Sequence, residues 1–127
     1  MKPITVDLKD LQIPIQWPEN IVINGQYAQD LFVIAVTQGK MNGTWLEIGC
    51  GWPTGGGSNT LCLEKYFNWN GFSIDSGDAW NVAYDNGNVD LVPLSQEWAL
   101  TRPAANFIQT DALELDYKTF PNHIDYL

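Results

Sequence analysis

Apolar and polar positions along the chain predict short strands that alternate with helices. Thr44–Ile48 is largely apolar, which is typical of a buried strand, and a glycine-rich loop leads from it to a helix. The pattern then predicts a helix from Ser58 to about Phe67, a strand at Phe72–Asp75, a helix at Ser95–Thr101 and a strand at Asn106–Asp111. Helices that connect strands in this way predict right-handed crossovers and a mostly parallel, three-layer sheet structure. The predicted fold class is therefore α/β.

Capping signals predict where two of the helices begin and end. Either Ser58 or Asn59 is expected to cap the helix that follows the glycine-rich loop, and Asn70-Gly71 to end it. An earlier helix is predicted over Gln26–Gly39, with Asn24 as its cap and the final glycine as its stop. Its predicted apolar face consists of Tyr27, Leu31, Phe32 and Ala35.

The remaining segments predict how the chain is organised. Residues 1–24, which contain several prolines, are expected to form an extended arm ahead of a domain of residues 25–127. Residues 76–94 are rich in turn formers and are interpreted as an insertion rather than a core element. Leu113–Phe120 is predicted to be a short helical turn before a fourth strand at His123–Leu127. Because the pattern stops inside that strand, we expect the sheet to be truncated there, and its open edge favours pairing with a second copy.

Composition and charge exclude several classes of partner. The 127 residues are 45% apolar and 13% aromatic, which is typical of one packed globular domain. The net charge of −9 repels phosphate backbones and anionic lipid headgroups, so neither nucleic acid nor a membrane surface is an expected partner. Cys50 and Cys62 have neither metal-site nor disulfide-framework spacing, so we expect reduced thiols and no metal. The first residues contain no long apolar run, and a cytoplasmic location is expected.

Acidic residues stand at or near the ends of three predicted strands. These residues are Glu47, Asp75 and Asp111, and the carboxyl ends of parallel strands share one edge of the sheet. The turn Gly49-Cys50-Gly51 is expected to present free backbone N–H groups at the same edge. Glu47 disfavours a phosphate there and favours a cofactor with a cationic or hydroxyl-bearing part.

Two of these acids suit a nucleoside. Asp75 follows Gly51 by close to the spacing of about 20 residues at which an acid binds the hydroxyls of a ribose. Two carboxylate oxygens match a vicinal diol, and Asp111 would then accept from the amino group of an adenine. Glu47 would orient the turn or contact an ammonium group.

Each feature also has a purely structural interpretation. An acid after a strand is often a helix cap or a turn former, and a lone Gly-x-Gly is weak evidence of a ligand. Gly55-Gly56-Gly57 is interpreted as a flexible loop. The indoles of Trp17, Trp45, Trp69, Trp80 and Trp98 are expected to pack in the core or an interface, whereas Trp52 could cover a cofactor or contact a partner. His123 is interpreted as a surface or packing group, and no residue is predicted as a catalytic base.

Short segments in a fixed order carry a resemblance to a known family. They are Gln29-Asp30-Leu31-Phe32-Val33, Gly43–Gly49, Ser58-Asn59-Thr60, Leu63-Glu64-Lys65, Trp69-Asn70-Gly71, Arg102-Pro103, Asn106-Phe107-Ile108 and Asp111-Ala112-Leu113. Over roughly residues 26–127 the chain resembles the FkbM-type S-adenosylmethionine-dependent methyltransferases. It departs from them at Trp52-Pro53, where family members often carry Asp-Gly, and in the length of residues 76–94.

The resemblance implies a Rossmann-like methyltransferase sheet, S-adenosylmethionine as cofactor and methyl transfer to a hydroxyl group. The hydroxyl acceptor would be a small molecule or a glycan. The predicted cofactor-binding residues are Glu47, Gly49, Cys50, Gly51, Ser58, Asn59, Asp75, Asp111 and Ala112. Two alternatives stay open: an oxidoreductase domain that binds a nicotinamide dinucleotide, and a non-catalytic interaction module that needs a partner chain.

Overall fold

The structure is a computed structural model that describes residues 4–7, 20–86 and 92–127. Its elements, in chain order, are the strands and helices β1 (Ile4–Asp7), β2 (Asn20–Ile23), α1 (Gln29–Val36), β3 (Thr44–Ile48), α2 (Leu61–Phe67), β4 (Asn70–Asp75), α3 (Asp78–Asp85), α4 (Leu94–Thr101) and β5 (Asn106–Gln109). Two 3₁₀ turns follow, at Ala112–Glu114 and Tyr117–Thr119. The α/β fold class is confirmed.

Strands β3, β4 and β5 form a parallel sheet in that spatial order. Ile48 of β3 is paired with Ile74 of β4, which in turn is paired with Ile108 of β5. Beside β3, on the edge away from β4, Tyr126 forms a parallel bridge with Trp45. The predicted fourth strand is therefore represented by a single bridge, and the sheet reads β5-β4-β3-Tyr126 across its width.

Buried side chains form two clusters. The larger cluster contains Ile21, Ile23, Val33, Ile34, Trp45, Cys62, Leu63, Phe67 and Trp69. The smaller cluster contains Cys50, Trp80, Leu94 and Trp98, with Phe107 packed against it. Four of the five tryptophans expected in the core are thus confirmed there, and Trp17 lies outside the described residues.

The N-terminal residues contribute to the larger cluster. β1 and β2 pair antiparallel, with Ile4 opposite Ile23. Ile21 and Ile23 of β2 are almost fully buried. The strand β2 therefore packs with the helices of the domain, while residues 8–19 of the predicted arm lie outside the described part of the chain.

Helix α1 buries a different face from the one predicted. Its buried residues are Asp30, Val33 and Ile34, whereas Tyr27 and Phe32 are exposed. The residue before the helix is Ala28, in a left-handed conformation, so the prediction of Asn24 as the cap was wrong. Its orientation follows from Asp30, whose carboxylate accepts hydrogen bonds from the amides of Asn24 and Gly25.

Helix α1 ends at Val36, three residues before the predicted stop at Gly39, and Gln38 is the first residue after it with a left-handed φ, of +53°. Gly39 has a φ of +69°, and its amide donates to the carbonyl of Ile34 at 2.9 Å. This pairing satisfies one of the carbonyls that a helix leaves free at its C-terminus.

Helix α2 begins at Leu61, three residues later than predicted, and ends at Phe67 as predicted. The residue directly before it is Thr60, whose side chain makes no capping hydrogen bond. The Ser58 hydroxyl accepts a hydrogen bond from the Leu61 amide at 3.2 Å, which fulfils the predicted capping role. The helix ends at Phe67 because Asn68 turns to a left-handed φ of +54°. Asn70-Gly71 therefore does not end the helix, as was predicted, but begins β4.

Residues 76–94 contain a core element, contrary to prediction. Asp78–Asp85 forms α3, and Trp80 on this helix is 4% exposed. The Trp80 indole N–H donates to the carbonyl of Val92 at 2.6 Å, so burial is combined with a satisfied donor. Residues 87–91 lie outside the described part of the chain.

Within the ranges that the structure describes, no helix has the length and apolar character that a membrane crossing needs.

Candidate functional site

The glycine turn after β3 folds over the end of β4. Gly49 and Gly51 have φ angles of +73° and +60°, which glycine adopts without strain. The amides of Gly49 and Cys50 both donate to the carbonyl of Ile74, at 2.7 and 3.2 Å. The amide of Gly51 donates to Oδ2 of Asp75 at 2.9 Å. The expectation of free N–H groups in this turn was therefore wrong, because β4 accepts all three of them.

Asp75 connects two backbone turns at the strand ends. Its Oδ2 accepts from Gly51, and its Oδ1 accepts from the amide of Gly77 at 2.7 Å. Each carboxylate oxygen can accept a second hydrogen bond. The side chain is thus held in one orientation and keeps acceptor capacity on both oxygens.

A cleft of about 290 Å³ lies at the carboxyl ends of β3, β4 and β5, and is called here the strand-end cleft. Its lining includes Ile48, Gly49, Asp75, Asp78, Asp111 and Ala112. The structure therefore brings four predicted site residues together: Gly49, Asp75, Asp111 and Ala112. Asp111 also caps the first 3₁₀ turn, since its Oδ1 accepts from the Leu113 amide at 2.9 Å. This contact leaves Oδ2 of Asp111 able to accept from a ligand.

Glu47 lies within a hydrogen-bond chain that crosses from β3 to β4. Its Oε2 accepts from the hydroxyls of Ser73 at 2.8 Å and Thr60 at 3.1 Å. Ser73 in turn accepts from the Trp45 indole N–H at 3.0 Å. Burial raises the pKa of the Glu47 carboxyl above its ordinary value, and the hydrogen bonds from Ser73 and Thr60 oppose that shift.

A second cavity, of about 200 Å³, lies on the other side of β3 and is called here the Tyr126 pocket. Its lining includes Glu47, Ile48, Asn59 and Tyr126. The Oδ1 atom of Asn59 is buried and has no hydrogen-bond partner among the described residues. An unpaired buried acceptor is costly, and this atom lies beside Gly25, enclosed by the protein.

The predicted site residues therefore divide into three groups. One group lines the strand-end cleft, and Glu47 and Asn59 line the Tyr126 pocket. Cys50, Gly51 and Ser58 line neither of the two: Gly51 shapes the turn, while Cys50 and Ser58 are buried. Burial raises the pKa of the Cys50 thiol above its ordinary range, so this thiol stays protonated at neutral pH.

Two further predictions concern metals and His123. In residues 4–7, 20–86 and 92–127, no three His, Cys, Asp or Glu side chains are placed to hold a metal ion. His123 is exposed, and its Nε2 lies 2.8 Å from Oδ1 of Asp125, whose Oδ2 accepts from the Thr44 amide. Neither cavity includes His123 in its lining.

Arg102 is a buried charge that the sequence motifs did not assign to the site. It is 1% exposed and is paired with Glu64, with Nε and Nη2 at 3.3 and 3.4 Å from the two carboxylate oxygens. Its Nη1 donates to the carbonyl of Pro53 at 3.2 Å and reaches the hydroxyl of Ser58 at 3.5 Å. In the sequence, the motif Arg102-Pro103 was the signal that pointed to this residue. A buried arginine must be paired, and Glu64 is the partner here.

Comparison of the chain with models of protein families, with curated proteins and with solved structures found no match.

Proposed function

We propose that this chain is the cofactor-binding part of an S-adenosylmethionine-dependent methyltransferase that acts on a hydroxyl group. The observation that carries the proposal is the strand-end cleft, where Asp75 and Asp111 follow neighbouring parallel strands beside the turn at Gly49. A neutral ribose diol and an adenine amino group are the ligand groups that these acceptors suit.

The strand order supports a ligand at this position. The chain passes from β3 outward to β4 and β5 and then returns to the opposite edge of β3 at Tyr126. In open α/β sheets, ligands bind at the carboxyl ends of the strands where the order reverses in this way. The same order begins a Rossmann-like methyltransferase sheet, which is the finer fold that we propose.

The residues present fit the nucleoside half of S-adenosylmethionine. Asp75 is fixed by Gly51 and Gly77, so two acceptor oxygens are oriented before a ligand arrives. Among the described residues, the cleft lining includes three carboxylates, from Asp75, Asp78 and Asp111, and no Lys or Arg. Such a lining favours the net positive charge of S-adenosylmethionine. Bound there, this cofactor would supply a methyl group on a sulfonium.

The Tyr126 pocket suits the other half of the cofactor. Glu47 lines this pocket and keeps Oε1 as an acceptor, because both hydrogen bonds that the structure gives its carboxylate are on Oε2. An ammonium group donates hydrogen bonds and accepts none, which matches this lining. Ile48 lines both cavities, so one ligand could pass over the end of β3.

A dinucleotide fits less well. A pyrophosphate needs free backbone N–H groups at the glycine turn, and here Gly49, Cys50 and Gly51 all donate to β4. The carboxylates of the strand-end cleft would also repel a phosphate. The oxidoreductase alternative is disfavoured on these two grounds.

Isothermal titration with S-adenosylmethionine and S-adenosylhomocysteine tests the proposal. We expect dissociation constants in the micromolar range, near −8 kcal/mol. NADH serves as the control ligand and should give no heat of binding. The absence of heat from both sulfur ligands at a protein concentration of about 100 μM, well above that range, would refute the proposal.

The acceptor and the cellular location complete the proposal. We expect the hydroxyl of a glycan or of a small molecule as acceptor and assign no catalytic base. A cytoplasmic location is consistent with Cys50 and Cys62, which are buried and unpaired.

A further inference from the structure

Three residues of the sequence motifs line neither cavity and meet at one point: Arg102, Glu64 and Ser58. The guanidinium of Arg102 is paired with both carboxylate oxygens of Glu64, through Nε and Nη2. The remaining amino group, Nη1, faces Pro53 and Ser58. Segments that are far apart in sequence are thereby joined through a single side chain.

The guanidinium has little freedom to move. Its central carbon lies 4.7 Å from the ring centre of Trp98 and 5.4 Å from that of Trp45. Cation–π contact with two indoles and a two-point pairing with Glu64 fix both the plane and the rotation of the group. The direction of Nη1 is therefore fixed as well.

Nη1 contacts both ends of the glycine-rich loop. Pro53 and Ser58 bracket residues 54–57, which are all exposed. Three of these four residues are glycine, so the sequence of the loop imposes few conformational restraints. Besides the contacts of Arg102, the Gly57 amide donates to the carbonyl of Asn24.

The end of this loop leads directly to the Tyr126 pocket. Asn59 and Thr60 follow Ser58; Asn59 lines the pocket, and Thr60 donates to the Glu47 carboxylate. A change in the position of Ser58 would displace both side chains. The contacts of Arg102 are therefore coupled to the shape of the pocket through adjacent residues of the backbone.

We propose that Arg102 is a positioning residue, which holds the loop of residues 53–58 in the conformation that shapes the Tyr126 pocket. That Arg102 holds the loop is inferred from its contacts alone. The effect on cofactor affinity rests in addition on the proposed function. The forked guanidinium is required, because an ammonium cannot pair with both Glu64 oxygens and also reach two loop oxygens in fixed directions.

The test compares Arg102→Lys and Glu64→Gln with the wild-type chain. Exchange of the Gly57 amide with solvent is followed by NMR in the absence of ligand, and affinity for S-adenosylhomocysteine is measured by titration. We expect Gly57 to exchange at least about tenfold faster in both variants, with amides of β3 and β4 unchanged, and the affinity to fall by about tenfold. Local opening of this kind affects the loop without unfolding the domain.

Ile34→Val is the matched control. Ile34 is buried in the larger cluster, to which none of residues 53–58 belongs, so this variant is expected to lower global stability without releasing the loop. It should leave Gly57 exchange and ligand affinity at wild-type values. If Arg102→Lys does not fold, Glu64→Gln carries the test, because it removes the charge of the partner while Arg102 remains.

Two results would overturn the proposal. One is wild-type exchange at Gly57 in a folded Arg102→Lys or Glu64→Gln variant. The other is faster exchange with unchanged affinity in a chain whose wild type binds S-adenosylhomocysteine. If the wild type binds neither sulfur ligand, the proposed function fails, and the Gly57 exchange rates alone then support or overturn the loop-holding role.

Discussion

The amide of Gly51 and the carboxylate of Asp75 are joined by a hydrogen bond of 2.9 Å across 24 positions of sequence. This bond fastens the turn after β3 to the end of β4. The other carboxylate oxygen accepts from Gly77, so Asp75 orders the backbone on both sides of the strand-end cleft. A ligand bound by Asp75 would therefore meet a site that is already organised.

Asp75→Asn is expected to weaken binding of S-adenosylhomocysteine by about tenfold or more. An amide has one acceptor oxygen, so one of the two backbone donors loses its partner, and a hydrogen bond to a charged group contributes about 1.5–3 kcal/mol. The measurement is isothermal titration. Asp78→Asn is the control, since it removes the same charge from the same cleft, and no described residue donates a hydrogen bond to the Asp78 carboxylate. Equal losses in the two variants would mean that charge, and not geometry, governs binding.

The parallel sheet was predictable because its strands have strong local signals. Thr44–Ile48 is an apolar segment followed by glycine. The strand β4 begins two residues before its predicted start at Phe72, and β5 lies within its predicted bounds. The gathering of Asp75 and Asp111 in one cleft followed from the parallel arrangement alone.

The orientation of α1 was not predictable from periodicity. Residues 31–36 are all apolar, so no face of the helix stands out, and the buried face depends on the contacts of Asp30 with two preceding amides. In α3, the Asp and Asn residues suggested turns, but the segment forms a helix that buries Trp80. The pairing of Arg102 with Glu64 joins residues 38 positions apart, which no local pattern reveals.

Glu47→Gln is expected to stabilise the protein at pH 7 and to weaken ligand binding. The folded state raises the pKa of Glu47 above its ordinary value of 4.5, mainly through burial. For an acid with a raised pKa, the stabilising contribution is fully present below the unfolded value and is lost as pH rises through the folded value. The neutral amide avoids this loss at pH 7.

Thermal melts of Glu47→Gln and wild type at pH 7 and near pH 4.5 test the expectation. The melting temperature of the variant should be higher by a few degrees at pH 7, and the difference should shrink at the lower pH. A variant that is less stable than wild type at pH 7 would contradict it. Weaker binding of S-adenosylmethionine by the more stable variant would indicate that Glu47 contributes to ligand binding and lowers stability at pH 7.

Two glycine-to-alanine changes should differ in cost for different physical reasons. A Cβ at Gly71 would lie 2.2 Å from the carbonyl oxygen of Trp45 and 2.6 Å from its indole, so Gly71→Ala should cost about 3 kcal/mol, the upper end of overpacking. A Cβ at Gly49 meets nothing within 4 Å, and only its left-handed φ of +73° opposes alanine, at about 1–2 kcal/mol. Urea denaturation gives both free energies of unfolding. A larger loss of stability in Gly49→Ala than in Gly71→Ala would show that the turn tolerates a side chain less well than the contact with Trp45 does.

Asp125→Asn is expected to loosen the segment that carries Tyr126. The hydrogen bond from the Lys40 ammonium, together with those from His123 and from the Thr44 amide at 2.9 Å, lowers the pKa of the Asp125 carboxyl from 3.8 to about 2. For an acid with a lowered pKa, the stabilising contribution is present above the unfolded value and is lost as pH falls through the folded value. The variant should therefore melt a few degrees below wild type at pH 7, and the difference should diminish between pH 3.8 and about 2. A constant difference between Asp125→Asn and wild type over that range would contradict the role assigned to the ionised carboxylate of Asp125.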